Sequence, residues 1–359
     1  MDNRPVRRLD SAAMNTLIEF DVTGFNYDIG LAIGRRFRRE IRHYVRHNNK
    51  LLATNWTGRL GGLQEAIDGS LARSIRAFPR YVEELDGIAH GAGVPFRDIY
   101  ALNYIELLEI DAPYSRKAEN CSTVVVPRNH HYLVGHNEDW TAGQNDVYVL
   151  RARYPTGGGF LCLAYFGYLP GMSAGVNTHG LFHAINYLSP RDRRIGIPRT
   201  FITRAILDAP DFRTAIHIAR AHYRSFGQSI NLFKGGRFVN IETSAKRMAL
   251  RRPRGVFLHT NHYLHPDLID MESPGHMQWT LTRYGIGRDF ISRRPKFGDR
   301  EIRSLLGSRE SAPFCFFCIP GDPRNDHATL ATVLFDTRKR AMRVIRGNPA
   351  KRPDRCYAL

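Results

Sequence analysis

Cys121 stands at the head of a short apolar run, Cys121-Ser122-Thr123-Val124-Val125-Val126, and the next strand-like stretch returns with Asp139 in Gly135-His136-Asn137-Glu138-Asp139-Trp140. A cysteine at the first position of a β-branched strand, with a carboxylate coming back beside it, is an arrangement that can activate a nucleophile. If the peptide bond before Cys121 is cut, the thiol and a new α-amine lie on one residue. Cys315 and Cys318 form a single Cys-x-x-Cys among Phe314, Phe316 and Phe317. With no second pair, it reads as a buried apolar segment rather than a metal or redox centre. His130, His131, His259, His262 and His265 lack a coherent ligand spacing, so no metal is expected. Trp56, Trp140 and Trp279 read as packing or pocket wall, and no organic cofactor is expected.

The elements that must position these residues change character near residue 120. Before it the pattern is helical: in 27–52, Ile29, Ala32, Ile33, Phe37, Ile41, Tyr44 and Val45 recur near every 3.6 residues with Arg on the other face. Two more helices are expected over 78–90 and 96–110, with Gly91 and Gly93 as stop signals between them. After Cys121 short strands are expected over 122–126, 132–136, 147–153, 160–166, 173–176 and 181–185, with Gly157-Gly158-Gly159 at a hairpin tip. Helices return over 200–207 and 212–225, followed by strands over 229–233, 238–242 and 256–259. A last helix over 278–293 precedes closing strands over 328–335 and 341–345. Blocks of strands with helices in pairs between them predict a layered α+β sandwich, not a parallel doubly wound sheet.

Composition bounds the function classes. The chain has 359 residues, 43% of them hydrophobic, enough for a sizeable core. Its charge of +18 comes mostly from Arg, scattered through several clusters rather than gathered in one aromatic-interleaved stripe. Nucleic acid is therefore not the expected partner, whereas anionic small molecules suit the field. The charged N-terminus lacks a secretory core, and no segment approaches the roughly 20 apolar residues of a membrane span, so a cytoplasmic protein without a membrane partner is expected. Five cysteines are too few and too odd a set for a disulfide framework, and the Asn55-Trp56-Thr57 sequon then carries no meaning.

Four motifs in order resemble a known family. They are the Cys121 stretch, Gly135-His136-Asn137-Glu138-Asp139, Gly175-Val176-Asn177-Thr178-His179-Gly180-Leu181 with Asn186, and Thr260-Asn261-His262-Tyr263. Phe78-Pro79-Arg80-Tyr81 upstream and Ala328-Thr329-Leu330 with Arg346-Gly347-Asn348-Pro349 downstream extend the likeness over most of the chain. The chain is thus similar to the self-processing penicillin acyltransferase family, peptidase family C45, of the N-terminal nucleophile (Ntn) hydrolases.

The resemblance implies a four-layer αββα sandwich with a mainly helical N-terminal segment, made as a precursor that cuts itself between Asn120 and Cys121. Residues 1–120 would form a propeptide-derived α chain and 121–359 the catalytic β chain, the two staying associated as one domain. The freed α-amine, with a reference pKa of about 7.7–8.0, would act as base where a Lys at about 10.4 would stay protonated. Catalysis would pass through an acyl-cysteine formed from an amide or thioester. The implied substrate is a small-molecule acylated amine, with an acyl-coenzyme A among candidate donors.

By position, Cys121 matches the nucleophile, Asp139 the carboxylate that holds the amine, and Asn261 the oxyanion donor. On the residues alone, the alternative readings are a solvated turn carboxylate for Asp139 and a turn cap for Asn261. His136 stands where the related bile-salt hydrolases have an Arg; with Asn137, Tyr168 and Asn186 it is a candidate pocket residue. Glu138, on the other side of its strand from Asp139, is expected to be solvated. Two departures stand out: Glu119-Asn120 replaces a small residue at the cut, and Asp326 replaces a family Arg, with Arg324 the nearest basic side chain. The alternatives are a choloylglycine-hydrolase-like linear amidase and a catalytically inactive basic binding scaffold.

Overall fold

A short strand, β1 (Glu19–Thr23), leads into two helices, α1 (Asn26–Arg36) and α2 (Arg38–Asn55), where the spacing predicted one. The break falls at Phe37, whose backbone leaves the helical region at φ −116° and ψ 29°. Its ring buries against Tyr148 and Phe166, with centroids 4.4 and 5.0 Å away. The computed structural model describes residues 17–111, 121–143, 145–273, 277–310, 312, 314–320, 322 and 327–359. Asn120, Arg324 and Asp326 lie outside these.

Helix α3 (Leu63–Ala77), absent from the sequence reading, precedes α4 (Pro79–Ala92), α5 (Phe96–Asn103) and α6 (Leu107–Asp111). The stretch expected as one helix over 96–110 breaks where Tyr104 turns its hydroxyl onto the Gly196 N–H at 3.0 Å. Gly93 ends α4 in the left-handed region at φ +64°, as a stop signal should. Gly91 does not stop the helix. With Gly87 it meets Gly30 and Gly34 of α1 backbone to backbone: a Cβ at Gly30 would fall 1.9 Å from Glu84 O, and one at Gly91 2.3 Å from Leu31 O. These glycines are there for closeness of approach.

The strands that follow are β2 (Ser122–Arg128), β3 (His131–Thr141), β4 (Val147–Arg153), β5 (Gly159–Tyr165), β6 (Ala174–Asn177) and β7 (Phe182–Leu188). Helices α7 (Arg199–Leu207) and α8 (Phe212–Ala219) lead to β8 (Gly227–Lys234), β9 (Arg237–Thr243), β10 (Met248–Arg251) and β11 (Phe257–His259). The chain closes with α9 (Met277–Ser292), α10 (Asp299–Leu306), β12 (His327–Asp336), β13 (Ala341–Ile345) and β14 (Arg355–Ala358). Eight strands pair in the order β1-β4-β5-β6-β7-β8-β9-β10, and six in the order β11-β2-β3-β12-β13-β14. Among the described residues, all ladders are antiparallel except β1 with β4. The fold is a mixed α/β one with two sheets and flanking helices.

The sheets touch through inward side chains: Phe182 of β7 meets Phe335 of β12 with centroids 5.2 Å apart. The helices before Cys121 cover the larger sheet, and α9 and α10 cover the smaller one, where Ile302, Leu305 and Leu306 pack on Val124, Val126 and Leu334. β2 is therefore buried on both faces, which is why it reads as an unbroken apolar run. Its parity is fixed: Val125 joins the core between the sheets, Val124 and Val126 the layer under α10. A two-residue turn at Asn129 and His130, the latter at φ +61°, pairs Arg128 with His131 and Ser122 with Asn137.

Candidate active site

That register puts Cys121, just before β2, beside Glu138 on β3, with Asp139 on the opposite face. Cys121 is 2% exposed and its Sγ donates to Glu138 Oε1 at 3.8 Å. Glu138 is itself 3% exposed, which overturns the expectation of a solvated carboxylate. The alternation argument was sound but named the wrong side as the outside, because the smaller sheet is covered on both faces. Tyr165 and Ser173 donate to Glu138, and His136 Nε2 meets its Oε2 at 2.9 Å. His136 Nδ1 lies 2.8 Å from Thr123 Oγ1, which reaches Asn186 Oδ1 at 2.7 Å on β7. His136 and Asn186, both expected near the pocket, thus belong to one polar chain linking the sheets beside the thiol.

Asp139 sits on the other face, fully buried. Thr329 donates to its Oδ1 at 2.5 Å, and Arg283 Nη1 lies 3.7 Å from its Oδ2. Burial pushes its carboxyl up to about 8, with Glu138 and Cys315 adding to the rise and Arg283 and Thr329 opposing it. Opposite, β12 carries a bulge between Thr329 and Ala331, which aims Thr329 at Asp139. The Cys121 nitrogen is held by Asn261, whose Oδ1 accepts from it at 3.0 Å, while Asn261 Nδ2 donates to Tyr187 O at 3.1 Å. Asp139 reaches Cys121 through Arg283, whose Nη1 also donates to Cys121 O at 3.4 Å and Ser122 Oγ at 3.0 Å.

Arg283, on α9 and 1% exposed, was not singled out from the sequence. One Arg in a chain rich in them gives no signal, and its helix packs on the site from far along the chain. Asn137, expected at the pocket, faces outward: its Nδ2 donates to Leu306 O and Phe316 O at 2.9 Å each, and Thr332 donates to its Oδ1. It fastens α10 to the sheet. Tyr168 closes an aromatic group with Trp140 and Tyr165, centroids 5.9 to 6.2 Å from its own.

Among the described residues, Cys121, His136 and Glu138 bring ligand-type atoms within 4.8 Å of one another, close enough for a cation. The donors already around Glu138 leave its oxygens occupied. The Cys315 and Cys318 thiols are free and buried; a hydrogen bond between them holds Cys315 down to about 7 and, together with burial, pushes Cys318 up. Cys318 N donates to Thr329 Oγ1 at 2.9 Å, on the outward side of Asp139. No helix among the described residues is long and apolar enough to cross a membrane.

A solved structure of penicillin V acylase from Agrobacterium tumefaciens aligns over 62% of this chain and 82% of its own, at 11% identity and a TM-score of 0.38. The β-alanyl-dopamine/carcinine hydrolase of Drosophila melanogaster is 26% identical over 366 residues, covering 93% of each chain. The family model for acyl-coenzyme A:6-aminopenicillanic acid acyl-transferase matches residues 126–351, well over half of the chain. That span holds Glu138, Asp139, Asn261 and Arg283, the residues gathered around Cys121, and the scaffold alternative gives way. The chain belongs to the penicillin acyl-transferase family that its motifs resemble, and it is an enzyme acting on non-peptide carbon–nitrogen bonds.

Proposed function

We propose that the chain is a precursor that cuts itself between Asn120 and Cys121, then works as an N-terminal-cysteine amide hydrolase or acyltransferase. The setting of Cys121 carries this reading. Its thiol lies against Glu138 between the sheets, and its own nitrogen is gripped by Asn261, so both groups of an N-terminal cysteine are held, one by β3 and the other by the bend after β11. After the cut, Asn261 Oδ1 orients the α-amine, which takes the thiol proton as Sγ attacks the substrate carbonyl. The amide of Asn261 has a second N–H beyond the one on Tyr187 O, suited to the developing oxyanion. Asp139 is a positioning residue that acts through Arg283.

The same reading makes 1–120 and 121–359 two chains of one αββα domain. Contacts that support their staying together include Ser70 Oγ to Gly196 O at 2.6 Å, Thr200 Oγ1 to Asn103 O at 2.9 Å, and the Arg204–Glu84 ion pair at 2.9 Å. The free cysteines suit a cytoplasmic setting. For substrate, the hydrolase from Drosophila suggests aminoacyl amines such as β-alanyl amines, with Trp140, Tyr165 and Tyr168 as an apolar wall and water as acceptor. Transfer from an acyl-coenzyme A, as the family's name describes, is the second activity to assay.

Intact-mass spectra of fresh protein beside Cys121→Ala test the cut. Two fragments, one beginning at Cys121, are expected from the wild type alone; a single uncut wild-type mass over days would overturn the reading. Release of free amine from β-alanyl amides, with and without added amine acceptors, then separates hydrolysis from transfer.

A further inference from the structure

The hydrogen-bond directions around Glu138 are fixed by counting protons. Cys121 Sγ and Tyr165 Oη donate to Oε1, and Ser173 Oγ donates to Oε2, where His136 Nε2 also lies. Four partners match the roughly four lone-pair sites of an ionised carboxylate. Asn231 Nδ2 donates to Asn186 Oδ1 at 3.2 Å and Asn186 Nδ2 to His259 O at 3.5 Å, so Asn186 turns its oxygen to Thr123. The single hydroxyl hydrogen of Thr123 goes to that oxygen at 2.7 Å. His136 Nδ1, 2.8 Å from Thr123 Oγ1, must then donate, and Nε2 faces Glu138 Oε2 at 2.9 Å. His136 thus bridges Thr123 and Glu138, and neither the ring nor the carboxylate touches bulk water.

This arrangement answers a difficulty in self-processing, on whose reading it rests. The α-amine that serves as base in the cut enzyme does not exist until the bond is cut, so the first attack needs another acceptor for the thiol proton. We propose that Glu138 is the catalytic base of the first cut, taking the Cys121 thiol proton and returning it to the departing nitrogen. Sγ bonds to the carbonyl carbon of residue 120 as its proton passes to the carboxylate. The carbon–nitrogen bond then breaks, and the nitrogen of Cys121 leaves as an amine carrying that proton. Water hydrolyses the thioester, giving a carboxylate on residue 120, a free thiol on Cys121 and one proton to solvent. Ordinary carboxylates and thiols differ by roughly four pKa units, so the proton moves during the attack and the resting thiol stays protonated.

The test is the time course of cutting in freshly translated wild type, Glu138→Gln and Glu138→Asp, followed by intact mass between pH 5 and 9 with thermal melts as a folding control. Folded Glu138→Gln is expected to cut about 10²–10⁴-fold more slowly, its rate rising about tenfold per pH unit, while the wild type levels off. A folded Glu138→Gln that cuts within about threefold of wild type, with the same pH profile, overturns the proposal. Should the Gln variant fail to fold, Glu138→Asp keeps the charge but withdraws it from Sγ by about one bond length; at least about tenfold slowing is expected, and an unchanged rate overturns it. If the wild type itself never cuts, self-processing fails but Glu138 is still tested. Site-resolved alkylation of Cys121 by iodoacetamide should then be at least about tenfold slower in folded Glu138→Gln, and equal rates refute a role for Glu138 toward the thiol.

Discussion

Arg283 and Cys121 share one acceptor: Arg283 Nη2 donates at 2.6 Å to the same Asn261 oxygen that accepts from Cys121 N at 3.0 Å. A guanidinium that also reaches Cys121 O and Asp139 acts as a brace behind the proposed nucleophile. Arg283→Lys loses the planar fork and is expected to reduce turnover about 10²-fold with the fold intact. Arg283→Ala takes its donors away from the buried Asn261 Oδ1 and Cys121 O and should cost about 1–3 kcal/mol for each partner lost, read in urea unfolding.

The pH dependence of stability reports on Asp139. Its carboxyl is raised to about 8, chiefly by burial. From roughly pH 4 upward the unfolded chain has released a proton that the folded chain keeps, so stability falls as pH rises toward 8, by at most roughly 1.4 kcal/mol per unit, and is flat above. Glu272, also raised to about 8 by burial, adds a slope of the same sign. Asp139→Asn should therefore flatten the slope by up to roughly 1.4 kcal/mol per unit in melts recorded between pH 5 and 8. An unaltered slope would show that Asp139 is already ionised in the folded chain.

Where α1 crosses α4, a methyl group has no room. A Cβ at Gly34 would sit 2.3 Å from Ile88 O, and one at Gly87 2.2 Å from Tyr27 O. Either Gly→Ala change must push two helix backbones apart and should destabilise by about 1–3 kcal/mol or more, despite the better helix propensity of Ala. Chemical denaturation of each variant measures this; a gain in stability would mean that the helices part at no cost.

Arg204 and Glu84, both fully buried, tie α7 to α4, and Arg204 Nη1 also meets Asp208 at 3.0 Å. Removing one partner strands the other charge, so Arg204→Met should lose about 3–5 kcal/mol, whereas Arg204→Met with Glu84→Leu should recover part of it. In cut protein the single change should also lower the urea concentration at which residues 1–120 separate from 121–359 on native mass spectra.

Much of the site was legible because its signals are local. The β-branched run after Cys121 and the returning acids of β3 announced a strand pair, and β4, β5, α7 and the expected α9 lie within a residue or two of their expected bounds. What escaped depends on distant partners. Whether Glu138 or Asp139 faces the thiol turns on which side of the smaller sheet is covered, and α10, which covers it, is short and half charged. Phe37 breaks a strong helical period because two later rings, Tyr148 on β4 and Phe166 just past β5, offer it a pocket. Arg283 lies among many arginines, and nothing in its neighbours marks it.

The turn at Asn129 and His130 lies at the far end of the β2–β3 hairpin from Cys121. Because side chains alternate along a strand, inserting or deleting a single residue there would slide the ladder and offer the thiol either Asp139 or Asn137 in place of Glu138. Two turn residues with no contact to the reacting atoms thus set which acid serves them. A change of length at that surface turn is therefore expected to reach the site, and the spacing between Cys121 and Glu138 is the address it protects.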